Sequence, residues 1–61
     1  MLYKEYKKTD TFICAEAVEL IDAKTGQEID KDIYSPELDT LEVIDVSILC
    51  GEITLTLSKQ K

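Results

Sequence analysis

Apolar and polar residues alternate most clearly in two runs near the end of the sequence, residues 42–49 and 52–58. Alternation with a period of two is typical of a strand that buries one face. A two-residue turn at Cys50-Gly51 would join the runs into an antiparallel hairpin. The register then pairs apolar residues with one another: Ile44 with Leu57, Val46 with Leu55, and Ile48 with Ile53. One face of this hairpin is wholly apolar, which fixes its register.

A first hairpin is predicted for residues 11–34. Residues 11–22 fit either a strand with apolar side chains on both faces or a helix with one apolar stripe. The turn signal from Asp22 to Gly26 favours the strand, because Asp begins turns and Gly accepts a positive φ. Residues 27–34 alternate beyond the turn. We therefore favour a hairpin, with the strand over 11–22 central in the sheet or covered by another chain.

A helix start signal lies between the two hairpins. Ser35 can cap a helix and Pro36 suits its first position. We predict a helical turn over residues 36–41, and the alternative is a helix over 36–49 that ends before Gly51. The predicted fold class is a small β-rich α+β domain, in which this turn joins antiparallel hairpins at about 11–34 and 42–58. The alternative order is β-β-α-β, with the helix at 36–49.

The 61 residues form a single domain, 1–61. Residues 1–9 are rich in lysine, and we predict for them a basic arm or an edge strand. A chain of this length buries only about 60% of its unfolded surface. It has too few residues to cover every apolar face, so we expect a homo-oligomer, a dimer or higher.

Charge is unevenly distributed along the chain. Residues 9–58 contain twelve carboxylates and two lysines, a formal charge of −10, whereas the whole chain carries −6. The other five lysines lie outside this range, at both ends of the chain. Affinity for nucleic-acid phosphates comes chiefly from Lys and Arg, so no direct nucleic-acid binding is expected. A negative body of this kind is suited to a protein partner with a basic surface.

Several kinds of chemistry lack the residues they need. The chain has no histidine, which excludes Ser-His-Asp and Cys-His catalysis. Cys14 and Cys50 alone cannot form a four-ligand zinc site, and a calcium loop begun at Asp22 would put Lys24 at a ligand position. We expect no enzymatic activity, no cofactor and no metal. The two cysteines are expected to be reduced thiols, with a disulfide between them as the alternative.

No apolar run approaches the roughly 20 residues that span a bilayer, and no secretory signal precedes the body of the chain. We therefore expect a cytoplasmic protein without a membrane partner.

A non-enzymatic protein-binding module is the function that these observations predict. Charges steer association more than they hold it, so an apolar anchor is also required. Tyr34 is the expected anchor, with Phe12 and Tyr6 as others. The predicted partner-binding residues are Tyr34, Glu37, Asp39, Glu42, Asp30 and Asp32.

In size, acidity and predicted element order, the chain resembles small phage and prophage proteins, including the acidic uracil-DNA glycosylase inhibitors of certain phages. No residue motif is shared, so no residue role carries over. The resemblance implies an inhibitor, encoded by a phage or other mobile element, that occupies a basic surface of a host protein. The alternatives are a structural or assembly subunit of a homo-oligomer and a small-ligand-binding oligomer.

Overall fold

A computed structural model describes residues 1–59 as a three-stranded mixed sheet with short helices. The strands are β1 (Ala17–Asp22), β2 (Glu42–Leu49) and β3 (Glu52–Ser58). The helices are α1 (Tyr3–Tyr6), α2 (Asp10–Ile13) and a 3₁₀ helix (Pro36–Leu38). The sheet order is β1-β3-β2, so β3 is central, parallel to β1 and antiparallel to β2. The fold is therefore small and β-rich.

The hairpin of β2 and β3 agrees with the sequence pattern. Leu49 faces Glu52 across a two-residue turn in which Cys50 and Gly51 have φ values of 51° and 82°. Two positive φ angles are the mark of a type I′ turn, whose twist suits a hairpin. The alternative helix over 36–49 is wrong, because residues 42–49 are a strand, and the predicted helical turn at 36–41 is reduced to the 3₁₀ helix.

The register of this hairpin is confirmed over residues 45–49 and corrected at residue 44. Val46 faces Leu55 and Ile48 faces Ile53, as the alternation predicts. A register shift follows Val43, which indicates a β-bulge, so Val43 rather than Ile44 faces Leu57.

The two-hairpin arrangement is not confirmed, because β1 pairs with β3 and not with residues 27–34. The parallel pairing runs from Ala17 opposite Glu52 to Asp22 opposite Leu57. Residues 27–34 form no strand, and one isolated bridge joins Glu28 to β1. β1 therefore lies at an edge, whereas the charge-free residues 53–58 provide the centre of the sheet. Gly26 adopts the predicted positive φ, 74°, in the turn before residue 27.

The first sixteen residues differ from the prediction. Residues 10–13 are helical rather than extended, because the Thr9 hydroxyl accepts the Phe12 N–H at 3.3 Å and caps α2. Within residues 1–9, where a basic arm or an edge strand was predicted, α1 occupies residues 3–6 and buries Tyr3 and Tyr6. A single backbone bridge, between Leu2 and Glu42, joins this segment to β2.

The core lies where the helices meet one face of β1 and β3. Three aromatic rings pack edge-to-face there: Phe12 lies 6.0 Å from Tyr3 and 6.2 Å from Tyr6 between ring centroids. The buried apolar set is Tyr3, Tyr6, Phe12, Leu20, Leu38, Ile53, Leu55 and Leu57. Phe12 and Tyr6 are thus core residues and not partner anchors. Val46 and Ile48 share the face of Leu55 and Ile53, yet they remain exposed.

Candidate functional site

Most of the predicted partner-binding residues lie in residues 28–39, which we call the acidic loop. It connects β1 to β2 and contains five carboxylates and one lysine, a formal charge of −4. Within the acidic loop, Pro36–Leu38 form the 3₁₀ helix, and the other residues belong to no helix or strand. The acidic loop therefore concentrates a large share of the charge of −6 carried by the whole chain.

The core holds the acidic loop in place from beneath. The Tyr3 hydroxyl donates a hydrogen bond of 2.7 Å to the carbonyl oxygen of Ile33. The Ile29 N–H donates to the Leu20 carbonyl at 2.8 Å, and Leu38 is buried. Burial raises the pKa of Tyr3 to about 12, and the electrostatic influence of Tyr34, Asp39 and Asp32 adds to the rise. Tyr3 therefore remains a neutral donor across the physiological pH range.

The Tyr34 ring contacts the rest of the protein at one edge, and most of the side chain is exposed to solvent. Its side chain is 66% exposed. The ring meets Phe12 edge-to-face at 6.2 Å, and Lys7 Nζ lies 6.0 Å from the ring centroid. The Tyr34 N–H donates to Asp32 Oδ1 at 2.8 Å, which fixes the backbone beside the ring. Tyr34 thus offers an oriented aromatic surface to solvent.

The carboxylates near Tyr34 are exposed. Asp30 and Asp32 lie in the solvent-exposed part of the loop. Glu37 is exposed as well and forms an ion pair with Lys31, whose hydrogen bond and charge hold the pKa of the Glu37 carboxyl below its ordinary value. Asp30, Asp32, Tyr34 and Glu37 therefore lie on one loop.

Asp39 and Glu42 make contacts within the fold. Asp39 Oδ1 is shielded from solvent and lies 2.6 Å from Lys7 Nζ. Glu42 begins β2, where it is half-buried and bridges to Leu2. These two residues hold the N-terminal segment against the loop and sheet. The sequence did not predict Lys7 as the partner of Asp39, because the two residues lie far apart along the chain.

Other features of residues 1–59 that bear on chemistry are a pocket and two thiols. No group of three His, Cys, Asp or Glu side chains among them is placed to hold a metal ion. A pocket of about 270 Å³ between the acidic loop and the end of β3 is lined by two carboxylates and two lysines, among apolar residues. Typical ligand pockets measure roughly 300–1,000 Å³. Both cysteines are exposed, free thiols.

None of the helices within residues 1–59 has the length and apolar character needed to cross a membrane.

Comparison of the chain with protein-family models, with curated proteins and with solved structures found no significant match.

Proposed function

We propose that this protein is a non-enzymatic binding module whose acidic loop occupies a basic surface of a partner protein. The observation that carries the proposal is the exposure of Tyr34 among carboxylates. An aromatic side chain that is 66% exposed, yet oriented by Phe12 and by Asp32, has the properties of an interface anchor.

Attachment of the loop to the rest of the fold supports this proposal. The Tyr3 hydrogen bond to Ile33 and the Lys7 ion pair with Asp39 hold both sides of Tyr34 before any partner arrives. A pre-ordered anchor loses less conformational entropy on binding than a mobile one.

Charge gives the class of partner. The carboxylates of the loop would attract a basic surface and would repel an acidic one, which raises the association rate and restricts the choice of partner. Proteins that bind nucleic acid carry such surfaces. Occupation of that surface would inhibit the partner, which is the action expected of a phage or mobile-element inhibitor.

The test compares two double charge reversals that change the net charge equally. Asp30→Lys with Glu37→Lys alters the acidic loop, and Glu19→Lys with Glu52→Lys alters exposed positions of β1 and β3. Proteins retained from a lysate by the immobilised wild-type chain are identified and purified. The affinity of each variant for them is then measured by calorimetry.

The loop variant and Tyr34→Ala are expected to weaken binding at least tenfold, and the β1–β3 variant by much less. Binding should also weaken as salt rises, because the attraction is between opposite charges. Equal weakening by the two double variants would show that net charge alone is responsible and would overturn the proposal. Unchanged affinity of Tyr34→Ala would remove the anchor from it.

A further inference from the structure

Exposed apolar side chains are concentrated on β2, away from the acidic loop. Of the seven large apolar residues that are exposed within residues 1–59, four belong to this strand: Ile44, Val46, Ile48 and Leu49. Scattered exposed apolar residues are ordinary on protein surfaces, but Val46 and Ile48 are neighbours on one face of the sheet, and adjacent exposed apolar side chains indicate an interaction site.

β2 is also an edge strand, and within residues 1–59 the N-terminal segment covers its first residues alone. The Val43 N–H donates to the Met1 carbonyl at 2.8 Å, and the Tyr3 N–H donates to the Leu41 carbonyl at 2.8 Å. Within the described chain, the backbone bonds from this N-terminal segment to β2 end at Val43. Further along, the Val46 N–H donates to Oδ1 of the neighbouring Asp45 at 3.0 Å. Edge strands are usually protected by lysine, proline or several charges. Residues 44–49 contain neither lysine nor proline, and their one charge is Asp45.

We propose that residues 45–49 of β2 pair antiparallel with the same residues of a second copy of this chain, about a two-fold axis at Ser47. The two sheets then form one continuous sheet of six strands. This proposal concerns a surface separate from the acidic loop and does not depend on the function proposed above.

The distribution of charge favours a second copy of this chain as the partner of the β2 edge. Each chain carries −6, so two copies repel wherever their acidic segments meet. Between residues 43 and 51 there is one charged residue, Asp45. Two copies therefore approach there with little repulsion, whereas a basic partner would find few charges to pair with.

The position of the two-fold axis follows from the residues that each possible register would place opposite one another. Pairing that keeps both apolar faces on one side of the sheet must place a residue opposite its own copy. An axis at Asp45 opposes two carboxylates, which is unfavourable. An axis at Val46 pairs Ile48 with Ile44, where the bulge interrupts the strand. An axis at Ser47 uses the regular stretch alone.

Pairing about Ser47 brings Val46 of each copy opposite Ile48 of the other. The four side chains then lie on the face that carries the core, beside the aromatic layers of both copies. Asp45 lies opposite Leu49 and meets no second carboxylate. Pairing through five residues gives a small interface, so the dimer is expected to be weak, with a Kd on the order of micromolar or higher.

Analytical ultracentrifugation across the micromolar range tests the interface with two matched variants. Val46→Lys places a charge in the proposed contact, and Ile13→Lys places the same charge at an exposed apolar site on α2. Circular dichroism verifies that both are folded. We expect wild type and Ile13→Lys to dimerise alike, and Val46→Lys to dissociate at least tenfold more readily. Added salt should strengthen the dimer, because it screens the repulsion between like-charged copies. A monomeric wild type, or equal behaviour of the two variants, would overturn the proposal.

Cross-linking tests the position of the axis. In a Cys14→Ser, Cys50→Asn background, Ser47→Cys should give a disulfide-linked dimer with oxidised glutathione. Thr54→Cys should not, because Thr54 lies on the central strand between Ser47 and Glu19. A wild-type dimer without the Ser47→Cys cross-link would refute the register. The Asp30→Lys, Glu37→Lys variant should dimerise at least as well as wild type, which separates this interface from the acidic loop.

Discussion

The hydrogen bond from Tyr3 to Ile33 can be removed without changing the shape of the core. Tyr3 is fully buried, and its hydroxyl lies 2.7 Å from the Ile33 carbonyl oxygen. Tyr3→Phe keeps the ring that packs against Phe12 and removes only the donor. The substitution therefore isolates the attachment of the acidic loop to the core.

The expected loss is about 1 kcal/mol in the free energy of unfolding. A hydrogen bond contributes roughly 0.5–1.5 kcal/mol net, and a fully buried carbonyl left without a donor costs about 1–3 kcal/mol. Ile33 is half-buried, so water can reach its neighbourhood and the lower range applies. In a domain of this size, about 1 kcal/mol lowers Tm by roughly 4–8 °C.

Urea unfolding followed by circular dichroism measures this loss, and Tyr34→Phe is the matched control. Tyr34 is largely exposed, so removal of its hydroxyl should change the free energy of unfolding by less than about 0.5 kcal/mol. An equal effect of the two substitutions, or no effect of Tyr3→Phe, would refute the reasoning.

Alkaline pH extends the same comparison. The pKa of Tyr3 is raised to about 12 in the folded protein, from an ordinary value of 10.0. Above pH 10 the unfolded chain loses this proton first, so the folded state loses stability between pH 10 and about 12. Tyr3→Phe has no such proton. The stability advantage of wild type over the variant should therefore shrink across this range, while the titration of other groups cancels in the difference.

Three further substitutions test other contacts. Lys7→Met should lower the free energy of unfolding by about 1–2 kcal/mol, because it leaves the shielded Asp39 oxygen without its partner, whereas Lys8→Met should change it by less than about 0.5 kcal/mol; urea titrations compare them. Leu55→Ala should cost about 2–5 kcal/mol, comparable with the whole stability of a small domain, and circular dichroism should show a largely unfolded population. Cys50→Asn should raise Tm, because Asn suits the positive φ of 51° better than Cys; no rise relative to Cys50→Ala would contradict this.

The elements that could be predicted from sequence are those whose information is local. Cys50-Gly51 and the alternation on either side of it determine the β2–β3 register within a span of twelve residues, 45 to 56. Gly26 and Pro36 likewise mark a turn and a helix start from their own backbone preferences. The bulge after Val43 was not predicted, because no residue type there indicates that the strand contains an extra residue.

The parallel pairing of β1 with β3 could not be predicted in the same way. It joins segments separated by the acidic loop and β2, and a parallel pair has no turn to fix its register. The alternation of residues 27–34 favoured a nearer partner for β1, although Asp30 and Asp32 have low strand propensity. The Thr9 cap was a local signal for α2, but the apolar run that follows outweighed it.

The candidate site depends in part on the same kind of local information. Tyr34 and the carboxylates around it are neighbours in sequence, so their proximity needed no tertiary information. Asp39 is partly shielded because it pairs with Lys7, and only folding brings Lys7 near it.

The order β1-β3-β2 also governs the sequence of events during synthesis. β1, α1 and α2 are complete long before the residues of β3 are translated, yet β3 is the strand to which both β1 and β2 bond. Until residues 52–58 leave the ribosome, β1 has no neighbouring strand and the aromatic residues of the helices have no sheet to cover. The three-stranded sheet therefore cannot assemble until its central strand has been synthesised, however early β1 is available.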